Sequence, residues 1–176
     1  MEEMNKLKKC CFTGHRPQSL PWGTRECGLA FEKCYNDLEN AIVSAIYDGY
    51  TYFISGVALG IDMLASEIVL KLKSEYGLKL ECAIPCIGQS RVWGTKAKVR
   101  YQNIIDKADV ITYVSHSPYF DGCMEERNKY MVENSSRIIA VYSGKIWGSG
   151  TKKTIEYAQN KGLDVIIIAP EYEENY

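Results

Sequence analysis

The 176-residue sequence has no apolar run long enough to cross a bilayer and no excess of charge of either sign. Its longest apolar runs, such as 165–169, are far shorter than the roughly 20 residues of a membrane-spanning helix. The net charge of −1 provides no basic field to attract nucleic acid. We therefore expect no membrane partner, and the composition argues against nucleic acid as a partner. Because no overall positive charge is present, any recognition of phosphate must come from local geometry.

The sequence also contains no Cys-x-x-Cys pair, and its N-terminal residues are not expected to be a secretion signal. Its charged beginning, "MEEMNKLKK", leads into a predicted strand, and its seven cysteines are an odd number. We interpret them as reduced, mostly buried thiols of a cytoplasmic protein that needs no metal and no cofactor. A redox role for Cys10 and Cys11, or a metal role for Cys82 and Cys86, is the minor alternative.

Predicted strands and helices alternate along the chain, which favours right-handed βαβ units. Strands are predicted over 9–14, 50–55, 78–84, 109–114, 137–142 and 164–169, and helices over 26–47, 61–76, 92–107, 121–134 and 151–160. The second, fifth and sixth strands are nearly unbroken apolar runs, which is typical of strands covered on both faces.

We predict one domain over 1–176. It is a Rossmann-like, three-layer α/β fold: a doubly wound, mostly parallel sheet of about six strands with helices on both faces. The strand order 3-2-1-4-5-6 is compatible with this pattern, and the acidic tail at about 171–176 is expected to be frayed. Ligands of such sheets bind beyond the carboxyl ends of the strands, near the switch in strand order. The loops after strands one, two, four and five are therefore the candidates: "TGHRP", "SGVALGID", "SHSPYFDG" and "SGKIWGSGT".

The loop "SGVALGID" joins the second strand to a helix and contains two glycines and an aspartate. Gly56 leaves the backbone open to a ligand, and Gly60 permits a positive φ or a close helix–strand contact. The amides of residues 58–61 would face an anion at the helix N-terminus. Asp62 would contact a ribose hydroxyl or complement the helix dipole. The alternative is a tight turn with no ligand, since neither a P-loop nor a Gly-x-Gly-x-x-Gly fingerprint is present.

The segment "GSGT", residues 148–151, is a second glycine-rich corner between a strand and a helix. Gly148 and Gly150 flank Ser149, and Thr151 would be the N-cap or a first-turn hydroxyl. Such a segment offers amides and hydroxyls to a phosphate. Two corners of this kind at the ligand edge strengthen the phosphate interpretation.

Charged and aromatic side chains accompany these corners. In the first loop Arg16 is suited to a bidentate contact with phosphate and His15 to a hydrogen bond, although both are also common in surface loops. Arg127 lies on the same helical face as Met124 and Met131, so either it faces an anion or its stem packs while its head reaches solvent. Trp93 would stack on a base or belong to the core.

Together these segments resemble the bacterial YpsA family of the SLOG superfamily, which is named after Smf/DprA and Lonely Guy proteins. The similarity rests on "FTGHRP", "SGVALGID", Trp93, "MEERNKYMVENSSRIIAVYSG" and "GSGTKKTIEYA" and spans about residues 8–169. "SGVALGID" is also similar to a DprA motif, and "MEERN" with "GSGT" to motifs of the Lonely Guy nucleoside-monophosphate phosphoribohydrolases. The resemblance implies a Rossmann-like sheet with a pocket for a nucleotide or nucleotide-derived ligand, and a homodimer would be ordinary for the superfamily.

Departures from the related motifs separate the functional alternatives. Thr154 stands where the Lonely Guy motif has its glutamate, and Asn128 replaces a lysine after the matching Arg127. Leu59 stands where the DprA motif often has arginine. We therefore expect binding or sensing of a nucleotide-derived phosphate ligand without robust catalysis. The alternatives are an N-glycosidic hydrolase of nucleoside phosphates and DprA-like binding of single-stranded DNA.

No catalytic residue is assigned on this interpretation. The expected ligand-binding residues are Thr13, Gly14, His15, Arg16, Ser55, Gly56, Ala58, Gly60, Asp62, Trp93, Arg127, Asn128, Gly148, Ser149, Gly150 and Thr151.

Overall fold

The computed structural model describes residues 9–145 and 149–172, in which six strands and five α-helices alternate. The strands are β1 (Lys9–Gly14), β2 (Tyr52–Ser55), β3 (Lys79–Ile84), β4 (Val110–Tyr113), β5 (Arg137–Val141) and β6 (Asp164–Ile168). The helices are α1 (Leu29–Tyr47), α2 (Ile61–Tyr76), α3 (Thr95–Lys107), α4 (Cys123–Glu133) and α5 (Gly150–Asn160), and a 3-10 turn covers Pro17–Ser19. The predicted α/β fold is confirmed.

All six strands are parallel, in the order β4-β3-β2-β1-β5-β6. The order 3-2-1-4-5-6 is therefore wrong in the position of β4, which lies at the edge beside β3 and not beside β1. Its exposed Val110, Ile111 and Tyr113 fit an edge position. Strand order depends on where each crossover helix docks, and a local apolar pattern does not encode that. The switch in order falls between β1 and β5, where Gly14 is paired with Val141.

The core lies on both faces of the sheet because alternate side chains of each strand point in opposite directions. Phe12, Phe53 and Leu80 belong to the larger cluster, which α1 and α2 cover. Cys11 and Ile54 belong to the smaller one under α4 and α5. Cys10 and Cys11 are thus buried on opposite faces, which does not favour a redox pair.

The edge strands show where the prediction from apolar runs fails. Burial on both faces holds for β2 and β5, but β6 is an edge strand whose Ile167 is 50% exposed. Of the tail expected to be frayed, residues 173–176 lie outside the described residues, and Tyr172 donates a hydrogen bond to the Ser19 carbonyl (2.6 Å). None of the helices in the described ranges is long and apolar enough to span a membrane.

The strand order predicts a contrast between two isoleucines. Ile139 of β5 is fully buried, whereas Ile111 of β4 is 42% exposed. Ile139→Ala should lower the free energy of unfolding by about 2–5 kcal/mol, and Ile111→Ala by about 1 kcal/mol or less, because less apolar surface is lost. Urea unfolding of both variants checks this. Equal losses would contradict an edge position for β4.

Candidate functional site

A cavity of about 310 Å³ opens at the carboxyl edge of the sheet, where the strand order switches between β1 and β5. It lies between the loop after β1, the start of α2, the first two turns of α4 and the start of α5. The predicted residues that line it are Thr13, Gly14, His15, Arg16, Ala58, Asp62, Arg127, Asn128, Ser149, Gly150 and Thr151. The two glycine-rich corners, far apart in sequence, therefore meet at one cavity.

The N-terminus of α2 packs against the loop after β1 through Gly60. This glycine has φ +94°, and a Cβ on it would lie 2.6 Å from the His15 carbonyl oxygen. The Ile61 amide donates to the same carbonyl (3.4 Å), and the Ala58 amide donates to Asp62 Oδ2 (3.3 Å). Two of the four amides that we expected to face an anion are thus already hydrogen-bonded within the protein, which weakens that part of the prediction.

Ser55 and Gly56 do not line the cavity but contact residues of the loop and helix around it. Ser55 Oγ accepts from the Val57 amide and donates to the Asp62 carbonyl, both at 3.1 Å. A Cβ on Gly56 would lie 2.3 Å from Arg127 Nη1, so only glycine leaves room for that guanidinium. We expected Gly56 to leave its backbone open to a ligand, but the space beside it is occupied by the Arg127 side chain.

Arg127 is the most constrained charge of the site. Its side chain is 2% exposed, and its Nη1 donates to the Gly56 carbonyl at 2.6 Å. Its Nε donates to Asn128 Oδ1 at 2.9 Å, while the only partner of Nη2 among the described residues is the Met124 sulfur at 3.8 Å. No carboxylate within the described ranges lies within ion-pairing distance of it. Burial lowers the pKa of Arg127, which the Asp62 carboxylate partly offsets. A buried cation without a paired anion is costly and is expected at a site that receives one.

Asp62 contributes a carboxylate to the wall of the cavity. Its Oδ2 holds the Ala58 amide, and its Oδ1 has no partner in the part of the chain that the structure describes. Burial raises the pKa of Asp62, an effect that Arg127 and the Ala58 amide counteract. Asp62 thus lies in the first turn of α2, where it complements the helix dipole as one alternative held, and it also lines the cavity.

His15 and Arg16 have different functions in the loop after β1. His15 Nε2 accepts a hydrogen bond from the Ser143 amide (3.1 Å), which joins the loops after β1 and β5 and places the ring proton on Nδ1. Burial lowers the pKa of His15, which favours this neutral form. Arg16 lines the cavity, and its side chain has no hydrogen bond or ion pair with any described residue. It is the available cation of the site.

The start of α5 forms the opposite wall. Ser149, and not Thr151, is the N-cap: its Oγ accepts from the Lys152 amide at 3.1 Å. The amides of Gly150 and Thr151 belong to the first turn, where no intrahelical acceptor exists. Asn128 joins α4 to this helix by donating to Thr154 Oγ1 (3.0 Å). The phosphate-binding geometry that we expected at both corners is thus better developed at α5 than at α2.

Trp93 and Gly60, like Ser55 and Gly56, do not line the cavity. Trp93 packs edge-on against Tyr101 with ring centroids 5.4 Å apart and contacts the larger core cluster, as its alternative interpretation held. Gly148 lies outside the described residues. Sequence reasoning missed Gln18 and Ser19, which line the cavity from the 3-10 turn. Pro17 at the first position of that turn was the available signal.

Comparison with known families identifies relatives over most of the chain. The model of the YpsA family, described as "YspA SLOG family", matches residues 10–171. A UPF0398 protein of Brevibacillus brevis is 32% identical over 147 residues, which cover 81% of this chain and 77% of that protein. The prophage-derived protein YoqJ of Bacillus subtilis is 33% identical over 123 residues, covering 63% of this chain and 71% of YoqJ.

Two solved structures of DNA processing protein A (DprA) share the fold. The protein from Streptococcus pneumoniae gives a TM-score of 0.62 at 22% identity over 96% of this chain, which spans about half (53%) of that structure. The protein from Helicobacter pylori gives 0.64 at 18% identity over 98% of this chain and 70% of that structure. The latter is described by its mode of binding single-stranded DNA.

These structures correct one expectation. The argument from net charge against nucleic acid as a partner is wrong, because the fold recurs in a protein described by its binding of single-stranded DNA. Net charge describes the average field of a protein, whereas a strand is held by local grooves and stacking surfaces that the average does not reveal.

The buried carboxyl of Asp62 predicts a dependence of stability on pH. Because its pKa is raised on folding, the protein loses stability as pH rises through the range between its unfolded and folded pKa values. Asp62→Asn keeps an acceptor for the Ala58 amide without the charge. Without ligand, it should be more stable than the wild type at pH 7 and equal to it where Asp62 is protonated. Urea unfolding from pH 3 to 8 checks this, and a variant less stable at pH 7 would contradict it.

Proposed function

The chain belongs to the YpsA family of SLOG proteins, and from this premise we propose that its cavity binds the phosphate of a nucleotide or nucleotide-derived ligand. The observation that carries the proposal is the buried Arg127 guanidinium, which borders the cavity without a carboxylate partner in the described residues. A bound phosphate would supply the missing anion. A charge-assisted hydrogen bond of this kind is about twice as strong as a neutral one.

Two further groups support phosphate as the anion. Arg16 brings a second guanidinium with no protein partner among the described residues, and it lines the same cavity. The first turn of α5 adds amides and the partial positive charge of a helix N-terminus. Phosphate has enough acceptor oxygens to meet all three, whereas a carboxylate would leave donors unused.

The nucleotide part of the proposal rests on Asp62 and on the family. Asp62 lines the cavity, its Oδ1 has no partner in the described residues, and a ribose hydroxyl is a suitable donor to that oxygen. At about 310 Å³ the cavity is at the lower limit of the size of small-molecule sites. It is suited to the phosphate and sugar of a nucleotide.

We propose binding without robust catalysis because a threonine occupies the position at which the Lonely Guy enzymes have a glutamate. Thr154 stands there, 4% exposed, and its hydroxyl accepts from Asn128 and donates to the Gly150 carbonyl (2.8 Å). Asp62 is the one carboxylate among the described residues that line the cavity, and one of its oxygens accepts a hydrogen bond from the Ala58 amide. Glycosidic hydrolysis passes through an oxocarbenium-ion-like transition state, and the carboxylate that would stabilise it or activate water is absent from that motif position.

Single-stranded DNA is a second candidate ligand, favoured by the likeness in fold to the H. pylori DprA structure. A phosphate of a strand would meet the same cations as a nucleotide phosphate. The two candidates differ in length dependence: a strand gains affinity with each added nucleotide and loses it steeply with salt. A mononucleotide contacts the protein through one phosphate group, so its affinity falls less steeply with salt.

Arg16→Ala tests the proposal, with Arg25→Ala as its matched control. Arg25 is exposed in the same loop but does not line the cavity. Arg16→Ala should weaken binding of nucleoside 5′-monophosphates by about tenfold or more, because it removes a charge-assisted contact, while Arg25→Ala leaves affinity within about twofold. Isothermal titration calorimetry with the four common ribonucleotides measures both.

The same samples separate the alternatives. Chromatography of the incubated nucleotides detects free base, and its release by the wild type would overturn the proposed lack of catalysis. Titration with thymidine oligonucleotides of increasing length tests whether the protein binds single-stranded DNA. If the wild type binds no mononucleotide, or if the two arginine variants bind equally well, the cavity is not a nucleotide phosphate site.

A further inference from the structure

A groove of about 540 Å³ lies between α4 and α5, next to the cavity. It shares Met124, Asn128 and Gly150 with the cavity, so the two spaces adjoin at the N-terminal ends of both helices. From Gly150 it continues along α5 past Glu156 to Asn160. At 1.5 Å per residue, Glu156 lies about 9 Å along the helix axis from Gly150.

The charges of the groove balance, unlike those of the cavity. Lys129 and Lys153 line it together with Glu125 and Glu156. Lys129 is engaged with Glu125 at 3.3 Å, and Glu156 lies 3.8 Å from Lys152. A second phosphate would meet as many carboxylates as ammonium groups here, so the groove is suited to a neutral group.

The uncharged walls of the groove offer both apolar and polar contacts. Met124 and the half-buried Tyr157 ring provide a polarizable and an aromatic surface. The Asn160 amide has no partner within the described ranges and combines a donor and an acceptor. A nucleobase has apolar faces and an edge of donors and acceptors, and an asparagine amide is able to read such an edge.

We infer that the α4–α5 groove is the subsite for the base of the ligand, with the phosphate in the adjoining cavity. This inference rests on the proposed function of the cavity and adds a position for the base, which the cavity alone is too small to enclose. Asn128 stands at the junction: it lines both spaces, and its amide is fixed by Arg127 and Thr154.

Glu156→Trp tests the groove by filling it away from the cavity. Gln159→Trp is the control, because it places the same indole on the exposed surface of α5 outside the groove. The probes are AMP and ribose 5-phosphate, which differ by the base. Calorimetry should show that Glu156→Trp weakens the binding of AMP about tenfold and leaves the binding of ribose 5-phosphate within about twofold, with Gln159→Trp like the wild type.

The outcomes distinguish the groove from the cavity. Suppose that the wild type binds both probes. If Glu156→Trp then binds AMP with the affinity of the wild type, or if its affinity for both probes falls equally, the base does not lie in the groove, and the proposal of a phosphate site in the cavity is unaffected. If Gln159→Trp weakens the binding of AMP as strongly as Glu156→Trp does, the loss of affinity does not come from filling the groove, and the inference fails. If the wild type binds neither probe, the proposed function fails and the groove inference with it.

Discussion

The hydrogen bond from Arg127 Nη1 to the Gly56 carbonyl is the contact on which the site depends. It brings an arginine of α4 beneath the loop after β2, and the absence of a side chain on Gly56 makes room for it. The guanidinium forms no ion pair with a carboxylate in the described part of the chain, and the nearby Asp62 charge offsets its burial only in part, so it is held at an energetic cost in the unliganded protein. Backbone carbonyls lower that cost, because they solvate the cation without cancelling its charge.

The surrounding hydrogen bonds determine which donors remain for a ligand. At α2 the amides of Ala58 and Ile61 are used by Asp62 and the His15 carbonyl, so this helix start is a rigid support. At α5 the N-cap Ser149 accepts a hydrogen bond from the Lys152 amide, so that, among the described residues, the Gly150 and Thr151 amides of the first turn are free to donate to a ligand. An incoming anion would therefore meet two guanidinium groups and one helix N-terminus, and not the two N-termini that symmetry between the glycine-rich corners implies.

The sequence predicted the elements well and their arrangement less well. Apolar periodicity and glycines placed α2 at its observed bounds and gave the correct fold class, because these signals are local. The place of β4 at the edge was missed, since it depends on helix docking. The cavity residues near glycines were predicted because such corners lie at strand ends. The supporting role of Ser55 and the contributions of Gln18 and Ser19 depend on side-chain contacts that no spacing encodes.

The most direct test of this account compares the free energies of unfolding of the wild type and Arg127→Met, with and without AMP. Without ligand the variant should be within about 1 kcal/mol of the wild type, because the Gly56 carbonyl keeps Gln89 as a donor (2.9 Å) and no ion pair is lost. AMP at 100 times its dissociation constant should stabilise the wild type by about 2.7 kcal/mol and the variant far less. A variant strongly destabilised without ligand, yet stabilised by AMP as much as the wild type, would show that Arg127 is structural and would contradict the account.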